Sequence, residues 1–317
     1  MAKHLGPAGL LALLALLAGG PFSGGIAARA GTPLAIGCTA TTDCASAALG
    51  VEDGIFARHG LDATLTLIGL NSNIPAALMS GSLQIGGPTP SVFLQAVDGG
   101  LDLVAVAGAS STSPTTADTA ATVVRAGETV KSAQDFVGKK VGVPGIGAFL
   151  DVLFRRWLIG HGVDPAKVSF VEVTFPTMND VLKSGAVDAV VTAEPVLGRI
   201  VRAGTGTVAA EFLADVPPKE PQILYAATRA WAEANPKTVA DFRAAIAEAA
   251  AAVNADPDRA RAALSRFTKL PLDLVKTMKV SVSDPVLTAP SLAWWVDTMK
   301  KQDMLQGSPD VKALLVP

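Results

Sequence analysis

The chain is 317 residues long, and its 26 Lys and Arg nearly balance 28 Asp and Glu, for a formal charge of −2. Basic residues are scattered singly or in pairs and only 5% of residues are aromatic, so the chain lacks the basic stripe and stacking platform of a nucleic-acid binder. Its length exceeds what one hydrophobic core usually organises, so two lobes are expected.

The first residues read Met-Ala-Lys-His, followed by an almost unbroken Leu/Ala run over residues 5–17, and Ala28-Arg29-Ala30 supplies a small-x-small cleavage site. This pattern predicts a secretory signal peptide cleaved near Ala30 and a periplasmic mature protein. A membrane anchor fits less well, because the apolar run spans 13 residues and a bilayer-crossing helix needs about 20. Cleavage removes Lys3 and Arg29 and moves the formal charge from −2 to −4. The only cysteines, Cys38 and Cys44, suit a disulfide in an oxidising compartment or a pair of small buried hydrophobes, and spacing does not choose between them. A lipoprotein reading of Ala35-Ile36-Gly37-Cys38 places the cysteine too far beyond the apolar run and inside a strand pattern.

Short β-like runs then alternate with helical stretches, the signature of α/β architecture. Strands are expected at 34–39, 64–68, 83–85, 103–107, 121–125, 140–143, 168–173 and 189–192. A helix is expected over 45–58, stopped by His59-Gly60, and another over 74–79, stopped by Ser80-Gly81. The strongest helical pattern runs from Phe149 to Leu158, with Phe149, Val152, Leu153 and Trp157 on one stripe. Three prolines within residues 216–221 deny helix and central strand there, which marks a linker. One more strand follows at 222–228, and from Pro236 onward Val239, Phe242, Ile246, Ala249 and Val253 share one helix face. The expected organisation is residues 31–125 as the first part of lobe 1, 126–218 as lobe 2, and 219–317 as the return to lobe 1 with C-terminal helices. Two crossings between lobes make a hinge.

In such folds ligands gather beyond the carboxyl ends of strands. The residues found there are Thr39, Thr41 and Asp43 after the first strand, Gly87, Pro88 and Thr89 after the third, and Ser110 and Ser111 after the fourth. After the strand at 140–143, Gly145, Ile146, Gly147, Ala148 and Phe149 open a helix. Hydroxyls and unpaired N–H groups at helix starts favour a negative or polar head group. A tight turn without ligand explains the glycines as well, and ordinary capping explains the hydroxyls and Asp43. No Lys or Arg falls at these strand ends, which argues against a multiply charged anion such as phosphate.

Several segments together resemble the periplasmic binding components of ABC importers for nitrate, taurine, alkanesulfonates and thiamine-precursor pyrimidines. In residues 51–62 a helix ends in Gly54-Ile55-Phe56 and then Gly60-Leu61, similar to the family's Gly-Phe-Phe-x-x-x-Gly-Leu element. Residues 76–86 are similar to its alanine-leucine-x-x-glycine-x-x-aspartate-isoleucine-glycine run, with Gln84 in place of the aspartate. Residues 136–145, 186–191 and Glu194-Pro195 complete the likeness, which covers roughly residues 33–202. It implies a two-lobed periplasmic-binding-protein fold of type II with a mainly helical C-terminal segment, and a monomer that is not an enzyme and carries no cofactor or metal. It also implies a small-molecule ligand, an inner-membrane ABC permease as partner, and Glu194 on the cleft side of the second lobe. A small anion or zwitterion such as a sulfonate, taurine or nitrate is the expected solute, with a thiamine-precursor pyrimidine or an aromatic carboxylate as the alternative.

Two enzyme readings compete. The stretch Gly142-Val143-Pro144-Gly145-Ile146-Gly147 suits a dinucleotide turn, but Leu150 stands where the fingerprint wants its third glycine. The fungal pyrimidine synthase of this fold relies on a cysteine cluster that two cysteines cannot supply. The effector-sensing half of a transcription regulator would begin with a helix-turn-helix, not an export signal.

Overall fold

A computed structural model describes residues 31–316; the expected export signal lies outside the described residues. The strands are β1 (Thr32–Cys38), β2 (Leu61–Leu67), β3 (Ile85–Gly86), β4 (Leu103–Ser111), β5 (Ala120–Arg125), β6 (Lys140–Val143), β7 (Ser169–Glu172), β8 (Ala189–Ala193), β9 (Gly206–Ala210), β10 (Pro221–Thr228) and β11 (Val282–Ser283). They form two sheets, in the orders β11-β4-β10-β3-β1-β2 and β7-β6-β8-β5-β9. Strand β1 pairs parallel with β2 and β3, and β6 pairs parallel with β7 and β8. Each sheet also takes one reversed strand into its interior: β10 lies antiparallel between β3 and β4, and β5 lies antiparallel between β8 and β9.

Those two reversed strands are the ones that follow a change of sheet. The chain leaves the first sheet after Ser111 and enters the second at Ala120, then leaves after Ala210 and returns at Pro221. Strand β5, counted by sequence with the first segment, is therefore hydrogen-bonded within the second sheet. Thr112 ties the two crossings together. Its N–H donates to Glu220 O (2.8 Å), its carbonyl accepts from Lys219 N (2.8 Å), and its hydroxyl donates to Pro217 O (2.6 Å) while accepting from Glu220 N (3.0 Å).

Strand β4 is buried at all nine positions because both of its faces are covered. On one face Val104 and Val106 join a core with Phe242 and Ile246 of the helix Pro236–Ala255; on the other, Leu103 and Ala105 join the core around Phe93. The expected helix over 45–58 divides at Asp53-Gly54 into Ala45–Glu52 and Ile55–Arg58. The stripe on Phe149–Gly160 is realised: Phe149, Val152 and Leu153 are buried, and Trp157 packs edge-on against Phe136. Gln84, the departure from the family aspartate, accepts from Ala35 N (2.9 Å) and donates to Gly81 O (3.1 Å). A carboxylate could make the first of these bonds but not the second.

The C-terminal helix Ala289–Lys300 packs along the helix Pro90–Asp98 and also reaches the second sheet's helix. Buried Trp295 packs on Phe149 with ring centroids 5.3 Å apart and donates its indole N–H to Pro221 O (3.1 Å). Among the described residues no helix is long and apolar enough to cross a membrane.

Candidate functional site

The carboxyl ends of the parallel strands of both sheets face one cavity. From the first sheet's side come Thr39, Thr41, Thr42 and Asp43 after β1, Asn71 after β2, Thr89 after β3, Gln222 and Ile223 at the start of β10, and Ser281 beside β11. From the second sheet's side come Pro144, Ala148, Phe149 and Leu150 after β6, Phe175 after β7, Ala193 at the end of β8, and Thr119 and Ala120 where β5 begins. One wall is polar and the other is almost wholly apolar.

The polar wall is built on a short tied loop. Cys38 and Cys44 are joined in a disulfide, with Cα atoms 6.4 Å apart, and the loop they close carries Thr39, Thr41 and Asp43. Closing so short a loop removes about 2 kcal/mol of unfolded-state entropy and holds these side chains in place before any ligand arrives. A Cβ at Gly87 would stand 2.9 Å from Cys38 Sγ, so the glycine lets β3 pass against the disulfide.

Asp43 is the one ionisable side chain lining this cavity among the described residues. It is half-buried and lines the cavity. Burial pushes its carboxyl above the usual carboxylate range, and hydrogen bonds from the Thr41, Ser281 and Ser110 hydroxyls oppose that push. The Ser110 hydroxyl donates to Asp43 Oδ1 at 3.1 Å. Thr42 Oγ1 and Ser281 Oγ are 2.8 Å apart, and Thr42 Oγ1 also accepts from Ser281 N at 3.2 Å.

The groups expected to welcome an anion are already engaged. In the glycine turn, Ile146 N donates to Glu172 Oε1 (3.0 Å) and Gly147 N to Asp151 Oδ2 (2.8 Å). The turn leading into the helix thus directs these two N–H groups to carboxylates of the protein itself, while the helix N-cap, Ala148, makes no side-chain capping bond. Asp151 is fully buried; burial raises its pKa, and Arg155, bonded at 2.7 Å, holds it down. Asn71 spends its amide on Gly87 O (3.2 Å) and its carbonyl on Thr89 N (2.9 Å), while the Gln222 amide donates to Ser111 O (2.9 Å).

Of the residues singled out in the sequence, Thr39, Thr41, Asp43, Thr89, Ala148 and Phe149 line the cavity, whereas Gly87, Pro88, Ser110, Ser111, Gly145, Ile146, Gly147 and Glu194 do not. Ser110 acts through Asp43. Pro88 and Ser111 serve the sheet, their carbonyls accepting from Leu224 N and the Gln222 amide. Gly145 approaches Ser72, and Gly147 has φ 74° with a would-be Cβ 2.4 Å from the Gln95 side chain, so this turn docks against the first sheet's helices. Glu194 turns back to its own helix, where Oε2 accepts from Gly198 N (3.2 Å); burial raises its pKa, offset by that bond and by Arg202. Sequence reading missed, among others, Asn71, Thr119, Phe175, Gln222 and Ser281. Asn71 and Phe175 sit just past strand ends and were open to the same rule, but Gln222 and Thr119 enter at the starts of strands whose reversed direction no residue pattern announces.

Residues 41–260 match the model of a family described as NMT1/THI5 like. A binding protein of Brucella abortus is 29% identical over 226 residues, covering 70% of this chain and 67% of that protein, and one of Brucella suis matches equally. The fold is that of the alkanesulfonate-binding protein SsuA from Xanthomonas axonopodis bound to MOPS (TM-score 0.77, 18% identity, 90% of this chain, 98% of that one). It is likewise that of the periplasmic nitrate-binding protein NrtA from Synechocystis (TM-score 0.75, 17% identity, 89% and 84% covered).

Proposed function

The chain belongs to the NMT1/THI5-like family, and from that premise we propose that it is the extracytoplasmic solute-binding component of an ABC-type importer. It captures a small organic solute by hinge closure and hands it to an inner-membrane permease. The observation that carries this reading is the cavity itself: both sheets contribute to its lining, and among the described residues two crossings pinned at Thr112 carry the chain between them. Contacts that exist only with the lobes together support closure as the bound form. Ser72 donates to Glu172 (3.3 Å), Gln302 to Val152 O (3.2 Å) and Arg202 to Leu274 O (3.2 Å). A ligand touching both walls adds differential contact to the closed state and shifts the population toward it.

The dinucleotide alternative loses its footing, since the N–H groups that would cradle a pyrophosphate are held by Glu172 and Asp151.

The reading is tested on protein purified from its native compartment. Stripped by unfolding and refolding, it melts several degrees lower than before, and the low-molecular-weight fraction released on unfolding restores the loss. Equal melting temperatures, with no small molecule in the native mass spectrum, would falsify solute capture.

A further inference from the structure

Resting on the solute-binding reading, we infer that the captured solute presents a positively charged nitrogen group, an ammonium or amidinium, to the Asp43 carboxylate, and lays an apolar body against Phe149 and Phe175.

Three observations converge on this. First, the one ionisable side chain lining the cavity among the described residues is an acid, Asp43, and no Lys, Arg or His lines it. An anion entering here would face a buried carboxylate without a countercharge, whereas a cation completes an ion pair inside the protein. Second, the carboxylate holds hydroxyl donors from Thr41, Ser281 and Ser110. These bonds, with the Asp43 backbone N–H as a fourth donor, fix the orientation of the carboxyl at the cavity wall. Third, the N–H groups of Ile146 and Gly147 in the glycine turn are committed to Glu172 and Asp151, and Asn71 and Gln222 each spend one amide N–H on a backbone carbonyl. The glycine turn, the strongest reason in the sequence to expect an anion, is filled by the protein's own acids.

The opposite wall fits the remainder of such a molecule. Pro144, Phe149, Leu150 and Phe175 offer no side-chain donor or acceptor, and the aromatic faces attract a cation held nearby. A charged tip against Asp43 with a hydrocarbon or ring behind it places each part of the ligand in its own environment.

Thermal denaturation of the stripped protein with matched probes tests this. Benzylamine, benzamidine and propylamine form one arm; benzoate, benzenesulfonate and propanesulfonate form the other. The cationic arm is expected to raise the melting temperature and the anionic arm to leave it unchanged. In Asp43→Asn the affinity for benzylamine, measured by calorimetry, drops at least about tenfold, the loss expected of a charge-assisted bond. Should that variant not fold, the wild-type comparison between arms decides alone. Stabilisation by the anions, or by neither arm, overturns the inference. Anion binding leaves solute capture standing, and silence in both arms is separated from failure of solute capture by the stripping experiment, which needs no assumed ligand.

Discussion

The two walls of the cavity differ in almost every respect that the fold controls. The polar wall is a disulfide-closed loop plus residues from four further segments of the first sheet, and several of its side chains are already hydrogen-bonded within the protein before a ligand arrives. The apolar wall comes from the helix start after β6 and the turn after β7, and in the adjoining glycine turn the Ile146 and Gly147 N–H groups donate to Glu172 and Asp151. The contrast separates two tasks that one pocket usually mixes. A pre-bonded polar wall selects by charge, because its groups cannot rearrange cheaply around a wrong partner. An apolar wall excludes water without imposing direction.

The largest expected effect comes from breaking the apolar wall. Phe149 lines the cavity and packs on Trp295, so Phe149→Ala removes a buried ring at the seam between lobes and costs about 3 kcal/mol of stability. If the division of tasks holds, calorimetry shows benzylamine losing more affinity than propylamine, while the preference for cations over anions survives. A variant that began to accept benzoate would mean that the apolar wall also sets charge selection.

How much of this could be read in the sequence divides along the same line. The strands at 140–143 and 121–125, and the stripe of Phe149, Val152 and Leu153, were legible because a buried strand or an amphipathic helix writes its pattern into the residues. The strand expected at 103–107 in fact runs on to Ser111, because Ser110 and Ser111 pair with β10 and β11 although their hydroxyls read as loop. Strand β9 escaped notice because it is an edge strand paired only with β5, and β11 because it is two residues long. At the site, hydroxyl-rich strand ends were correctly located but their partners were not. Whether Ser110 faces a ligand or Asp43, 67 positions away, depends on tertiary geometry that no local pattern encodes.

The hinge belongs to neither wall, and it supplies the next test. Thr112→Val keeps the shape of the side chain but deprives Pro217 O of its donor and Glu220 N of its acceptor. Leaving two such groups unpaired costs about 2 kcal/mol, read as a lower midpoint in urea, and Thr112→Ser recovers most of it. Recovery by serine shows that the hydroxyl, not the volume, ties the crossings. The Asp43-side charge preference should be the same in all three proteins, because the polar wall is bonded within itself.

The smallest effect is a pH dependence at the same crossing. Glu220 sits where the second crossing enters β10; its Oε2 is buried without a partner among the described residues, and burial alone pushes its carboxyl up to about 7. A folded-state pKa above the unfolded value means that stability is fully present below the unfolded pKa, near 4.5, and is lost as pH rises through about 7. Since the side chain is partly solvated, screening reduces the loss to about 1 kcal/mol. Glu220→Gln should therefore match the natural protein in stability at pH 4 and exceed it by about that amount at pH 8, with the gap opening between the two pKa values. Parallel melting curves across that range would show the carboxylate already reaching water, and would leave Thr112 as the only polar group whose burial at the hinge matters to how the two walls meet.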